Sequence, residues 1–416
     1  MSECPRVLLI TRHYWPHGSI DSAGYGYEFS KALRRDGVEI EVVTPRFASS
    51  WNDRLMVAGI PVHRPTAAPR SEWSMGRYVR HLTTWLRENG DRFDVLMVDG
   101  IREEATAAVE AARSLNCVTI LRCSGWGFER DTEWWKRNRS TARCGMVGKL
   151  ADAVVAKSPE CARALVAAGY QADRVVRIDD GFAAGPQPTT AIKVRARQSL
   201  ATANGDLFAE EDVPIILCTS SMTRGSGIHL LVDAARLLIT RHPSLRLWFV
   251  GDGPHRDSIY QRIRGDGIRA SIAMPGSFND NEDLFLAADI FLQPDEQGLD
   301  YFLPSAVSAQ LPIVAIDQAS TRTVLTGNSR ERGTQIEEDP GQWVQWIPGA
   351  TSNLTRKKLH EVLDGLPDAR VRASKLRRYL LRSRPQASTV QSYRELFRRV
   401  MNNRPAGQNV SIEAAS

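Results

Sequence analysis

No stretch of this 416-residue chain is apolar for long enough to span a membrane or to serve as a secretory leader, and Met1-Ser-Glu-Cys-Pro-Arg6 runs directly into a short strand. The expectation is a cytoplasmic protein that works, at most, at the inner face of a membrane. The six cysteines, Cys4, Cys117, Cys123, Cys144, Cys161 and Cys218, show neither Cys-x-x-Cys nor Cys/His ligand spacing, which argues against a zinc site and for reduced, mostly buried thiols. There is no His-Glu-x-x-His, no Walker loop and no Ser/His/Asp order, so metalloprotease, ATPase and serine-hydrolase chemistry are set aside and no metal ligand is assigned. No internal repeat is visible.

Charge of one sign is scarce except at one end. Between Arg356 and Arg404 stand 14 Lys/Arg against 4 Asp/Glu, so the net charge of +6 leaves the remaining chain mildly acidic. Basic residues are not interleaved with aromatic platforms, and aromatics make up only 7% of the chain, which excludes nucleic acid as an expected partner. A charged fraction of 25% and a hydrophobic fraction of 42% are those of an ordinary folded protein, long enough for two α/β domains.

What is present is an alternation of short apolar strands with amphipathic helices. Arg6-Val-Leu-Leu-Ile-Thr11 is a strand apolar on both faces. It is followed by a glycine-bearing loop over 16–26, a helix over Glu28 to Arg35 closed by Asp36-Gly37, and the strand Glu39 to Thr44. Further strands are expected at Asp94 to Val98, Val118 to Leu121, Ala151 to Ser158 and Val175 to Ile178, and a second series begins at Pro214-Ile-Ile-Leu-Cys218. Such alternation predicts an α/β protein with doubly wound parallel sheets. The divisions are 1–186 for a first Rossmann-like domain, 187–212 for a linker, 213–375 for a second Rossmann-like domain, 376–402 for basic helices and 403–416 for a disordered tail.

Four segments of the second half recur in a known order: Gly227-Ile-His-Leu-Leu-Val-Asp-Ala234, Leu247-Trp-Phe-Val-Gly-Asp-Gly-Pro254, Leu284-Phe-Leu-Ala-Ala-Asp-Ile-Phe-Leu-Gln-Pro294 and Gln310-Leu-Pro-Ile-Val-Ala-Ile316. In order and spacing they resemble the GT-B glycosyltransferases of the family 4 (group 1) type. That resemblance implies two domains facing across a cleft, the second holding a nucleotide-sugar donor as substrate and the first a saccharide or lipid-linked acceptor. It further implies retention at the anomeric carbon, no metal or other cofactor, a place in polysaccharide biosynthesis, and C-terminal helices that cross back to the first domain.

The strand-to-helix turn Met222-Thr-Arg-Gly-Ser-Gly227 suits a diphosphate, because helix N-termini at the carboxyl ends of parallel strands present backbone N–H groups and partial positive charge. The donor-side candidates are Arg224, Gly225, Ser226, Gly227, Gly251, Gly253, Gly276, Glu296, Gln297, Gly298 and Ser305, with His17, Gly18 and Ser124 on the acceptor side. His17 either touches a ligand or is a surface-loop histidine. Trp126 to Arg139 mixes aromatic and basic residues, which fits either rings packed beneath a charged helix or peripheral contact with anionic lipid.

Several signature positions depart from the family. Ser221 and Ser226 stand where it has basic residues, Gln297 and Ser305 where it has a pair of glutamates, and Ser124 where it has a histidine. No side chain is assigned as a catalytic base. A non-catalytic GT-B protein that binds a sugar nucleotide or a partner glycosyltransferase is therefore the alternative reading. A sugar-nucleotide epimerase is a third, requiring carboxylates and a histidine that cannot be placed.

Overall fold

The computed structural model describes residues 4–18, 20–276, 278, 281–327 and 339–403; the tail assigned to 403–416 lies outside them beyond residue 403. Two sheets carry the molecule. The first is built from β1 (Arg6–Ile10), β2 (Glu39–Val43), β3 (Arg54–Val57), β4 (Ile60–His63), β5 (Val95–Asp99), β6 (Val118–Arg122), β7 (Ala153–Ala156) and β8 (Val175–Arg177). Its order is β3-β4-β2-β1-β5-β6-β7-β8, parallel throughout except for the β3/β4 hairpin. The second comprises β9 (Ile215–Thr219), β10 (Arg246–Val250), β11 (Ile272–Gly276), β12 (Ile290–Gln293), β13 (Ile313–Ile316) and β14 (Gln345–Ile347), in the all-parallel order β11-β10-β9-β12-β13-β14.

Strands such as β1, β5, β6 and β9 are continuous apolar runs because helices cover both faces of each sheet. Local chemistry sets the helix ends. Ser71 caps the helix Glu72–Asn89 in a reciprocal arrangement with Ser74, and Ser158 caps Pro159–Ala167 with proline in its first turn. The helix Asp21–Arg35 stops at Asp36 and Gly37, whose φ of +85° only glycine adopts freely.

That helix begins earlier than the sequence suggests. Gly24 and Gly26, read as loop glycines open to a ligand, are helical and buried. A methyl group at Gly24 would overlap the ring of Tyr301, so this glycine exists to let the second domain approach the helix.

The helix Thr190–Ala203, in the segment read as a linker, is fastened to the second domain. Buried Asp289 accepts from the Ile215 N–H at 3.0 Å and pairs with Arg197 at 2.9 Å, with Arg370 at 2.6 Å and with Lys193. Of the two last helices, Leu366–Ser383 stays with the second domain through Leu376 and Leu380. Gln386–Asn402 packs Val390, Tyr393, Leu396 and Phe397 into the first-domain core, against Phe29. Among the described residues no helix is long and apolar enough to cross a membrane. Trp126, Trp134 and Trp135 are all buried, as packing beneath a charged surface requires.

Candidate functional site

The carboxyl ends of the strands of both sheets meet, and the two facing walls differ in kind. On the second-domain wall the turns after β9 and β12 are tied together. Asp295 accepts from the Gly227 N–H at 2.8 Å, the Gln297 N–H at 2.9 Å and the Ser220 hydroxyl at 3.0 Å. Burial raises the Asp295 pKa, and these donors pull against the rise. The Gln297 amide oxygen accepts from both the backbone and the hydroxyl of Ser221. Where the resembled family places a basic residue and a glutamate, this chain therefore has one neutral hydrogen-bonded pair.

Several candidate residues find places in this wall. Gly227 abuts the Pro294 carbonyl and Gly251 the Ser220 carbonyl so closely that a methyl group on either would overlap; Gly253 sits in the same way against Met222. These three pack turn against turn. Gly225, at φ +79°, and Gly276, at φ +83°, face open space instead, and Arg224 is exposed with no hydrogen bond among the described residues. Ser226 is buried, its hydroxyl unpartnered among the described residues, and Gly298 packs on Phe302. Glu296 reaches across to the first domain and lies over Gly127, where a Cβ would displace its carboxylate.

The first-domain wall is ionic. Arg122, fully buried at the end of β6, pairs with Asp99 at 2.8 Å and Asp180 at 2.7 Å and lies 3.7 Å over the Tyr25 ring. Burial would lower the Arg122 pKa, but Asp180, Tyr25, Asp300 and Asp99 together hold it well above its usual value. Lys157, following β7, holds both oxygens of Asp300 at 2.6 and 2.8 Å, and Trp126 donates its indole N–H to the same carboxylate. Asp300 belongs to the second domain, so these bonds close the cleft.

Asp21 adds to them, accepting from the N–H groups of Asp300, Tyr301 and Phe302 at 2.9, 2.8 and 3.2 Å. Burial, and after it the neighbouring Asp300, raises Asp21 to about 7. Burial acts on Asp300 in the same sense, but Lys157 and Arg122 outweigh it and bring Asp300 down to about 2. None of Asp21, Arg122 and Lys157 was singled out from the sequence. For Arg122 and Lys157 the signal is a charged residue at the carboxyl end of an apolar parallel strand, as at Asp99 and Arg122, or just beyond one, as at Lys157; Asp21, the first residue of a helix, has no such signal.

His17, Gly18 and Ser305 come together on a cavity of about 320 Å³ between the domains, bordered also by Tyr25, Asn281 and Tyr301. Asn281 closes one side by donating to the Gly18 carbonyl. Arg224, Gly225, Ser226, Gly227 and Glu296 do not border this cavity, so the donor candidates fall into two groups. Ser124 joins neither group; its N–H donates to buried Asp131 at 2.8 Å. Among the described residues, no group of three or more His, Cys, Asp or Glu side chains is placed to hold a metal.

Residues 24–181 match the glycosyl transferase 4-like domain, and residues 213–350 match the glycosyl transferases group 1 domain. The chain belongs to the group 1 glycosyltransferases. It is similar to the lipopolysaccharide core biosynthesis glycosyltransferase LpsE of Rhizobium meliloti (strain 1021), 26% identical over 81 residues, which are 20% of this chain and 23% of that protein. Among solved structures it shares its fold with HepE of Anabaena in complex with UDP and glucose, with a TM-score of 0.69 and 16% identity, covering 95% of this chain and 99% of that one. WaaG, a glycosyltransferase involved in lipopolysaccharide biosynthesis, superposes with a TM-score of 0.64 and 14% identity over 94% of this chain and 99% of its own. The protein is thus a GT-B glycosyltransferase.

Proposed function

We propose that this glycosyltransferase moves a hexose from a nucleoside diphosphate donor to a hydroxyl of a saccharide or lipid-linked acceptor, with retention and without a metal or other cofactor. The observation that carries the donor reading is the joined pair of turns, in which Asp295 and Gln297 hold the strand-to-helix turn 221–227 so that Gly225 and Arg224 face open space. Exposed backbone and one guanidinium at that position suit a diphosphate. HepE, similar in fold, was also determined with UDP-glucose, which supports a uridine nucleotide as the first donor to try.

In the reaction, the bond from the anomeric carbon to the diphosphate breaks while the acceptor hydroxyl attacks from the same face. The hydroxyl proton passes to the departing diphosphate oxygen, so no protein base is needed. Arg224 takes up charge on the leaving group, and Glu296, Gln297 and Ser305 border the sugar and ribose. Gly276 offers backbone to the base.

The test is incubation with UDP-, GDP- and ADP-hexoses and a panel of glycoside acceptors, following nucleoside diphosphate release and the anomeric configuration of the product by NMR. Release from one donor class with the donor configuration kept is expected. An inverted product would remove retention, and no release from any donor by folded protein would remove transfer.

A further inference from the structure

The loop between β2 and β3 gathers rings at the carboxyl end of the first sheet. Phe47 stacks on His13 with centroids 5.3 Å apart and meets His17 edge to face at 4.3 Å. Trp51 closes the corner, 5.3 Å from His17 and 6.1 Å from Phe47. All four side chains are half-buried, so each keeps some surface open to solvent.

The corner is held from behind. Arg46 pairs with Asp53 across the loop, and its N–H donates to the Thr66 carbonyl at 2.7 Å. The Arg64 N–H donates to the Asp53 carbonyl at 2.7 Å, while its guanidinium donates to the Trp15 carbonyl at 2.8 Å and covers Trp51 at 4.4 Å. Rings fixed in this way lose little freedom when a ligand arrives.

We infer that His13, His17, Phe47 and Trp51 form the subsite for the acceptor's sugar ring, and that the ring it takes is an uncharged pyranose. This rests on the glycosyltransferase reading above and names the acceptor chemistry. The rings meet at an angle, interplanar angles of 71° and 52° separating His17 from Phe47 and Trp51, rather than lying parallel to sandwich a flat base. Such a corner fits the C–H face of a pyranose against aromatic carbon, the usual partnership of a mostly apolar pocket with a few polar groups.

Charge in the corner points the same way. Burial lowers the pKa of His17, and Arg64 lowers it further; burial together with His17 and Arg12 brings His13 down to about 3. Both imidazoles are neutral at physiological pH. The Arg64 side chain is itself buried and the Arg46 guanidinium is paired with Asp53, so among the described residues the cluster offers no unpaired exposed cation to a phosphate or carboxylate. Among the described residues His17 Nε2 has no hydrogen-bond partner, so a hydroxyl entering between the rings gives this shielded nitrogen what it lacks. His17 also borders the interdomain cavity, which places the subsite next to the space where donor and acceptor meet.

Saturation-transfer NMR with the methyl α-glycosides of glucose, galactose and mannose, and with glucuronate, tests this on the full chain. At least one neutral glycoside should receive saturation on its C–H face. The signal should fall about fivefold in Trp51→Leu and Phe47→Leu, in keeping with the worth of one aromatic contact, and survive in Phe47→Tyr. If Trp51→Leu melts early, the two Phe47 variants decide. Undiminished transfer in the folded leucine variants, a stronger signal from glucuronate, or no transfer in the wild type while UDP still binds would each overturn the subsite. Failure of UDP to bind while glycosides still depend on these rings would instead overturn the donor reading alone.

Discussion

The two walls of the cleft solve opposite problems. On the first-domain side Arg122 pairs with Asp99 and Asp180 within that domain, and Lys157 pairs with Asp300 across the cleft, so both cations are already neutralised by carboxylates. On the second-domain side Ser221 and Gln297 form a neutral hydrogen-bonded pair, and Arg224 is exposed with no hydrogen bond among the described residues. Buried cations that are already paired cannot neutralise an incoming diphosphate without abandoning their carboxylates. The wall rich in charge is therefore structural, and the wall proposed to bind the donor is the one poor in charge.

Removing the largest buried charge should break this contrast most severely. Arg122→Ala leaves Asp99 and Asp180 unpaired in the interior and is expected to cost about 3–5 kcal/mol, read by chemical denaturation. A loss below ~1 kcal/mol would mean that water already screens the network.

Gly227→Ala comes next. Its methyl group would overlap the Pro294 carbonyl and push the two turns apart, so about 1–3 kcal/mol of stability should be lost along with most nucleotide affinity. Stability and donor affinity should both fall, by less, in Gln297→Leu. That change strands the Ser221 donors, costs about 1–2 kcal/mol and raises KM for the donor more than it lowers kcat.

Arg224→Ala sharpens the comparison from the other side. An exposed residue without a hydrogen bond among the described residues should leave the melting temperature unchanged, while nucleotide affinity measured by calorimetry drops about tenfold. Unchanged affinity would place the diphosphate elsewhere.

The remaining effect is one of pH. Asp21 is raised from its ordinary 3.8 to about 7, so the stability it contributes is complete below pH ~4 and is lost as pH rises through about 7. Asp300 is lowered to about 2, so its contribution is complete above the ordinary carboxylate value and disappears only in stronger acid. Between pH ~4 and ~7 the wild type should therefore lose stability relative to Asp21→Asn as pH rises, measured by urea midpoints. Parallel curves for the two proteins would show that Asp21 titrates normally.

Much of this architecture was legible because parallel strands covered on both faces read as uninterrupted apolar runs. Arg6–Ile10, Glu39–Val43 and Ile215–Thr219 fall where the sequence places them. The hairpin Arg54–His63 was not read, being short, at the sheet edge and interrupted by Ala58-Gly59 and Pro61. Residues 21–26 were read as loop because of Gly24 and Gly26; the reason for glycine at position 24 is the Tyr301 ring, which is 277 positions away in the chain. The cleft network was hidden for the same reason. Asp21, Arg122, Lys157 and Asp300 are brought together only by the closure of two domains, and no local pattern encodes that approach.

Isothermal calorimetry of the wild-type protein against UDP, GDP and ADP bears most directly on whether the altered wall still binds a donor. Micromolar binding of one of the three is the result this account requires. Folded protein that binds none of them would contradict it, leaving the neutral Ser221–Gln297 pair as the mark of a lost donor site.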